Sequence, residues 1–316
     1  MLEVRAATSD EDLAHIARIV GAVTPDNTTS VSEMRWQEEH YPGGRRFIAW
    51  LDGEAVAGGG VGRVYVYPPE FPGLWGNITV LPEHRRKGVG SAMYVAISEV
   101  ARAAGKTLLV GRTTSDRPEA IAWMEHRGFE EHERMKVVRL ALVGVPLPAL
   151  EVPEGVELTS LETRPDLVEG VYQVAQEALP DIPGDGPVAP DTIEEFVMRD
   201  VDRAAVPQGG FAVAIEKDSG RVVGYANLLS PPGTSKIAWH GMTAVAREWR
   251  GRGLARALKV STIHWAAANG LEGLDTANDI ENAPMRAVNR RLGYEPQPDE
   301  IYYRGPLAPV RESSRA

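Results

Sequence analysis

One pattern occurs twice in this chain, and a repeat of such length restricts it to a single supersecondary plan used two times. Arg85-Arg86-Lys87-Gly88-Val89-Gly90 and Arg250-Gly251-Arg252-Gly253-Leu254-Ala255 both fit R-x-x-G-x-G/A, at a spacing of 165 positions. The same spacing pairs Gly105 with Gly270, Gly128 with Gly293 and Phe129 with Tyr294, and no gap is needed. In a chain of 316 residues each copy has about half the length, enough to bury a core of its own. Two tandem domains are expected, over 1-143 and 154-310, joined by the proline- and glycine-containing stretch Val143 to Pro153.

Hydrophobic periodicity orders the elements. Val4 to Ala7 reads as a strand, and a helix starting near Ser9 and Asp10 carries Leu13, Ile16, Ala17 and Val20 on one side. Phe47 to Leu51, the turn pair Asp52-Gly53 and the run from Ala55 form a hairpin. Strands ending at Val80 and Val245 then enter the basic loops. The helices after them place Val89, Met93, Ala96 and Val100, or Leu254, Leu258, Ser261 and Trp265, near one face. Leu108 to Val110 and Leu271 to Thr276 follow as strands, each ahead of a last helix. A strand-helix-strand unit after a meander implies an α/β (α+β) class: a mixed, mostly antiparallel sheet with one parallel pair, flanked by helices.

Composition removes several function classes. The hydrophobic fraction of 43% and charged fraction of 25% are those of a globular protein. Cysteine is absent, so disulfides, thiolate metal sites and a cysteine-linked acyl-enzyme are excluded. The histidines form no H-x-x-x-H pair and no metal ligand cluster is expected. No signal-peptide pattern follows Met1, and no apolar run reaches the ~20 residues of a membrane helix, so a cytoplasmic, non-membrane protein is expected. A net charge of −10 disfavours nucleic acid as a partner. Positive charge is concentrated instead at Arg85, Arg86 and Lys87 and at Arg250 and Arg252, which suits a small polyanion.

Each loop opens a helix, and a helix N-terminus offers unpaired N–H groups and partial positive charge to an anion. Glycine at 88 and 90, or glycine at 253 with alanine at 255, lets phosphate oxygens approach the backbone, while Arg85 or Arg250 can add charge-assisted hydrogen bonds. A single short glycine motif is weak; two at matching positions are not. Neither loop ends in the G-K-[ST] of a nucleotide-binding P-loop, and Gly58-Gly59-Gly60 does not open a helix.

The loop after an apolar strand, with a downstream helix ending in Gly-Phe or Gly-Tyr, resembles the GNAT superfamily of acetyl-CoA-dependent N-acyltransferases, and the resemblance covers nearly the whole chain as two copies. It implies two GNAT-like domains, each with a splayed parallel strand pair that admits the thioester. It implies acetyl-CoA as cofactor, with pyrophosphate on the loop amides and the pantetheine arm along the preceding strand. The cofactor residues are then Thr79, Val80, Arg85, Arg86, Lys87, Gly88, Val89 and Gly90, and in the second half Ala244, Val245, Arg250, Gly251, Arg252, Gly253, Leu254 and Ala255. Asn282, near the start of the last helix, is a further contact the resemblance implies. The family's tyrosine, four residues before the closing glycine, is Met124 in the first half and Asn289 in the second; only Asn289 retains a donor for the leaving thiolate.

Transfer to an amine needs a proton acceptor and donors for the developing oxyanion. His240 is the candidate base, with a structural strand histidine as the equal alternative; the 165 spacing puts Trp75 at its place in the first half. Trp36, Tyr41 and the segment Pro180 to Asp191 are expected to border the acceptor pocket, and Tyr302 and Tyr303 to pack on the last strand. The expected activity is acetyl transfer from acetyl-CoA to a primary amine of a small molecule by direct attack, carried by the second half. A non-catalytic acyl-CoA-binding or sensor protein is the alternative. The oligomeric state is not set by the sequence.

Overall fold

The computed structural model describes residues 1–25, 28–41, 43–64, 67–181, 192–203, 205–230 and 235–310. Most of the segment Pro180 to Asp191, and the tail Arg311 to Ala316 expected to be loose, lie outside the described residues. The chain forms two compact units, Met1–Arg134 with Glu300–Ala316, and Met135–Asp299.

The first unit begins with β1 (Leu2–Ala6), α1 (Asp10–Val23), α2 (Val31–His40), β2 (Arg45–Leu51), β3 (Glu54–Gly62) and β4 (Gly73–Val80). After the basic loop come α3 (Val89–Ala103), β5 (Leu108–Thr114) and α4 (Pro118–Glu125). β6 (Glu130–Ala141) carries the chain into the second unit, which continues with β7 (Val156–Ser160), α5 (Val168–Ala178), α6 (Ile193–Phe196), β8 (Ala212–Glu216), β9 (Val222–Leu229) and β10 (Ile237–Val245). Next are α7 (Leu254–Ala268), β11 (Gly273–Asp279), α8 (Ala283–Arg291) and β12 (Glu295–Pro296), and β13 (Glu300–Pro306) belongs to the first unit.

Strand order is β1-β2-β3-β4-β5-β13 in the first unit and β6-β11-β10-β9-β8-β7 in the second. β4–β5 and β10–β11 are the parallel pairs, and the other pairs are antiparallel. Helices cover both faces. Neighbouring residues of a strand point to opposite sides; Gly58 of β3 faces Ile16 of α1, whereas Gly59 faces Met93 of α3. In β9, Gly224 faces Leu254 and Leu258 of α7, and the adjacent Tyr225 packs in the cluster of Val171 and Val174 from α5. The mixed α/β plan read from periodicity is therefore the plan of the molecule.

The units differ from 1-143 and 154-310 in how each sheet is closed. β6 follows the first repeat but pairs along Met135 to Ala141 with β11, in the second unit. β13 ends the second repeat but pairs along its length with β5, in the first. The two repeats exchange their closing strands. Residues 143–153, expected as a linker, fall within the second unit, where His264 Nε2 lies 2.8 Å from the Pro148 carbonyl oxygen.

Each parallel pair is short. β4 and β5 stay in register only over Gly73–Trp75 and Leu108–Val110, and β10 and β11 only over Ile237–Trp239 and Gly273–Asp275, after which the strands separate. Along its antiparallel edge β4 runs without interruption from Trp75 opposite Gly62 to Val80 opposite Ala57. β10 does not: His240 faces Leu228 and Thr243 faces Ala226, so Gly241 and Met242 stand against the single residue Asn227. This is a β-bulge, one extra residue in the strand, with its backbone groups left out of the ladder.

The bulge corrects one equivalence. Trp75 pairs with Val110 and Trp239 with Asp275, so Trp239, not His240, is the counterpart of Trp75. The spacing of 165 holds only beyond the inserted residue.

Candidate active site

Three of the longer helices start on a polar side chain. Ser9 caps α1 by accepting from the Asp12 amide, Ser30 caps α2 and Asn282 caps α8. α3 and α7 do not: their caps are Gly88 and Gly253, left-handed at φ 80° and 83°, with no side-chain hydrogen bond. The first-turn N–H groups of Val89 and Gly90, or Leu254 and Ala255, are then free of both intrahelical and capping partners. A Cβ added at either capping glycine meets nothing within 4 Å, so the space above both turns is open. Glycine is needed there for its backbone conformation.

The arginines that open the motif hold the loop in place. Arg250 Nε donates to the Val245 carbonyl at 2.9 Å, and its Nη1 donates to Asp181 at 2.7 Å. Arg85 repeats this with the Val80 carbonyl at 3.3 Å and Glu119 at 3.4 Å. Hydrogen bonds from Arg247 and Arg250 keep the Asp181 carboxyl below its ordinary pKa. Arg252 stacks its guanidinium 4.7 Å from the Trp249 ring centre and remains exposed.

Beside the second loop, the splay opens after Asp275, which Arg139 grips with two bonds of 2.6 and 2.7 Å. Past Trp239 the β11 side of β10 has no paired strand, so the strand approaching Ala244 and Val245 presents backbone groups to the gap. Asn227 Oδ1 and Thr243 Oγ1, beside the bulge, are buried without hydrogen-bond partners. Asn289 is also buried: its Nδ2 donates to Asn278 Oδ1 at 2.6 Å, and its own Oδ1 has no partner. The unsatisfied atom of Asn289 is thus an acceptor, and donation to a thiolate would need its second amide hydrogen. Asn282 spends its carbonyl oxygen on the Met285 amide, 3.2 Å away.

The base expected at His240 is not available in this geometry. The ring is fully buried; Nδ1 lies 2.9 Å from the Tyr294 hydroxyl and Nε2 lies 3.0 Å from Thr262 Oγ1. Burial first, and the nearby Lys259 second, hold its pKa well below the ordinary histidine value. With both nitrogens engaged and no exposed surface, His240 faces Tyr294 and Thr262 here and not an open site. Its partners are distant in sequence, so the strand pattern alone could not show this.

The first unit has a differently furnished splay. A cavity of about 300 Å³ is lined by Arg63, Val64, Tyr67, Trp75, Val110, His132, Glu133 and Tyr302. Arg112 pairs with Glu300 at 2.8 Å, and the Tyr302 hydroxyl donates to the same carboxylate at 3.1 Å. Burial, then Glu300, pushes the Tyr302 phenol up to about 12. Tyr303, the next residue, is in the core. The assignment of these groups to the first unit followed from the strand exchange and had no sequence signal.

A mixed sheet whose parallel strands part after three residues, next to an uncapped glycine-started helix, defines an acyltransferase of the GNAT type, and the sequence profile of the Acetyltransferase (GNAT) family matches residues 14–129 and again 170–294. The chain belongs to that family, in tandem form, and is an N-acetyltransferase by membership. Among its relatives is a mycothiol acetyltransferase of Thermobispora bispora, 26% identical over 311 residues, covering 96% of this chain and 98% of the relative. Another, from Thermobifida fusca, is 26% identical over 321 residues, covering 93% and 95%. A tandem GNAT protein from the clavulanic acid biosynthesis pathway shares the fold with a TM-score of 0.77 at 21% identity, covering 98% of this chain and 100% of the other. A GCN5-related N-acetyltransferase from Sphaerobacter thermophilus shares it at 0.70 and 22%, over 100% and 98%. Among the described residues, no helix is long and apolar enough to cross a membrane.

Proposed function

We propose that the chain transfers acetyl from acetyl-CoA to a primary amine of a small molecule, and that the second unit performs the transfer. The observation that carries this is the β10 bulge, which takes Gly241 and Met242 out of register with β9 where β10 and β11 separate. A backbone N–H released at such an interruption would be a preorganised donor for an oxygen on which negative charge develops. β4 of the first unit has no such interruption.

The residues fit the cofactor. The open turns above Gly88 and Gly253 suit a pyrophosphate, and the unpartnered Asn227 Oδ1 and Thr243 Oγ1 suit the N–H groups of a pantetheine arm or an amine, since buried acceptors seek donors. When bound, acetyl-CoA supplies the activated thioester. The chain's own part is to bind phosphate oxygens on the Leu254 and Ala255 amides, line the arm with the backbone of Ala244 and Val245, and aim the bulge N–H at the carbonyl. The amine attacks the thioester carbonyl directly, because no cysteine can carry the acetyl group; the C–N bond forms, the C–S bond breaks, and coenzyme A leaves as a thiolate that is protonated to the free thiol. Its proton leaves through ordered water.

The test is release of free thiol from acetyl-CoA against a panel of amines, with product masses identified. The amine precursor of mycothiol heads the panel because of the relatives' name. Coenzyme A at one hundred times its Kd should also stabilise the fold by about 2.7 kcal/mol through mass action. Stabilisation without turnover on any amine would favour the acyl-CoA-binding protein, and neither effect at millimolar ligand would defeat both readings.

A further inference from the structure

We infer that Tyr294, Thr262 and Thr276, acting through His240, form a positioning device that sets the β10 bulge and so separates the transferring unit from its twin. The inference rests on the function proposed above. The bulge needs such a device: among the described residues, Gly241 and Met242 have no ladder partner in β9 or β11. An extra residue in a strand held on neither edge leaves its register weakly specified.

His240 is the last paired residue before the gap and is fixed from three elements. Thr262 on α7 donates its hydroxyl to the Lys259 carbonyl at 2.8 Å, so it accepts from His240 Nε2–H at 3.0 Å. His240 Nδ1 is then the acceptor for the Tyr294 hydroxyl at 2.9 Å. From β11, Thr276 Oγ1 donates to the His240 carbonyl at 3.1 Å, across the point where the strands have just parted. Each proton has one direction, and the ring is neutral. Lys259 Nζ lies 5.4 Å from the Tyr294 ring centre, and burial lowers its pKa to about 7.

The first unit is an internal control. Matching through β4–β5 and the 165 spacing, the counterparts of His240, Thr262, Thr276 and Tyr294 are Gly76, Ile97, Gly111 and Phe129. There a Cβ at Gly76 would touch Ile97 at 3.1 Å, and one at Gly111 would lie 3.5 Å from the Gly76 carbonyl, the same approach that Thr276 uses. The apolar set builds the same fold with an unbroken β4. The polar set occurs only in the unit that has the bulge.

The test uses the full chain with Thr276→Val, Thr276→Ser and Tyr294→Phe, the last being the residue the first unit already carries. We expect Thr276→Val and Tyr294→Phe to lower kcat by roughly tenfold or more, because misplacement by ~1 Å can cost 10² in rate. KM for acetyl-CoA should stay within about twofold, since the loop is untouched, and Thr276→Ser should recover most of kcat. Amide hydrogen exchange over His240 and Thr243, the paired residues that flank the bulge, should quicken about tenfold in Thr276→Val. Unchanged kcat in Thr276→Val, or equal losses in the valine and serine variants, would overturn the inference. If the wild type shows no turnover, the proposed function fails and exchange alone decides: unchanged protection at His240 and Thr243 refutes the device, and faster exchange there in the valine variant supports it.

Discussion

Gly241→Ala probes the bulge with one carbon atom. The backbone of Gly241 is not left-handed, so alanine is permitted by conformation and the consequence is one of space alone. An added Cβ would fall closer to Asn227 Oδ1 than the 3.0 Å that real β-carbons keep, and within 3.3 Å of Cγ and 3.4 Å of the Asn227 carbonyl. Asn227 is only 3% exposed and has nowhere to swing. Overpacking of this kind costs about 1–3 kcal/mol, which for a unit of this size is a fall in Tm of roughly 2–10 °C. The alternative relaxation moves the bulge away from Asn227, and a donor displaced by ~1 Å loses about 10² in kcat. Adding Asn227→Ala removes the obstacle, so the double variant should regain the Tm lost in Gly241→Ala, with a coupling of about 0.5–3 kcal/mol between the sites. Thermal denaturation of the four proteins of the cycle, with thiol release measured on each, gives both quantities. A Gly241→Ala protein with wild-type Tm and wild-type kcat would show that the bulge is neither packed nor poised as described.

Two further variants test other parts. Arg250→Ala with Gly253→Val should abolish most transfer, by freeing the loop from Val245 and Asp181 and forcing a β-branched residue to φ 83°, whereas Arg85→Ala with Gly88→Val should leave a substantial fraction; the reverse pattern, with circular dichroism unchanged, would assign chemistry to the first unit. Asp12 is paired with Arg5 through bonds of 2.6 and 2.8 Å, and this contact, ahead of its other hydrogen bonds, depresses its carboxyl. A depressed folded pKa means that stabilisation is complete above the ordinary carboxylate range near 4 and is lost as pH falls below it; Asp12→Asn should therefore cost about 1–3 kcal/mol at neutral pH and much less near pH 2, as read from urea melts.

The repeat was legible because its signals are local: glycines at helix caps, apolar faces and a basic loop are all written within a few residues. The splay followed from the resemblance that those signals carry. What escaped depends on contacts far apart in the chain. One residue inserted in β10 leaves the pattern of β-forming residues intact, so the spacing matched His240 with Trp75 when the ladder matches Trp239. His240 as a base was a fair expectation for a strand histidine; its neutral, engaged state depends on Thr262 and Tyr294, which only packing brings to it. Arg250 was expected on phosphate, yet its Nε faces the end of its own strand, a contact set by the turn between them. The strand exchange left no mark at all, because an edge strand of suitable pattern fits either sheet.

Exchange of the closing strands has an evolutionary side. If transfer belongs to the second unit, a first unit whose β4 has no bulge would be open to loss. Here deletion of the first repeat would take β6 with it, leaving β11 of the second sheet with a bare edge and β13 with no strand to join. An exposed edge of that length invites aggregation. Each repeat thus depends on the other for the strand that closes its sheet, so a change in the chemistry of the first leaves its structural part intact.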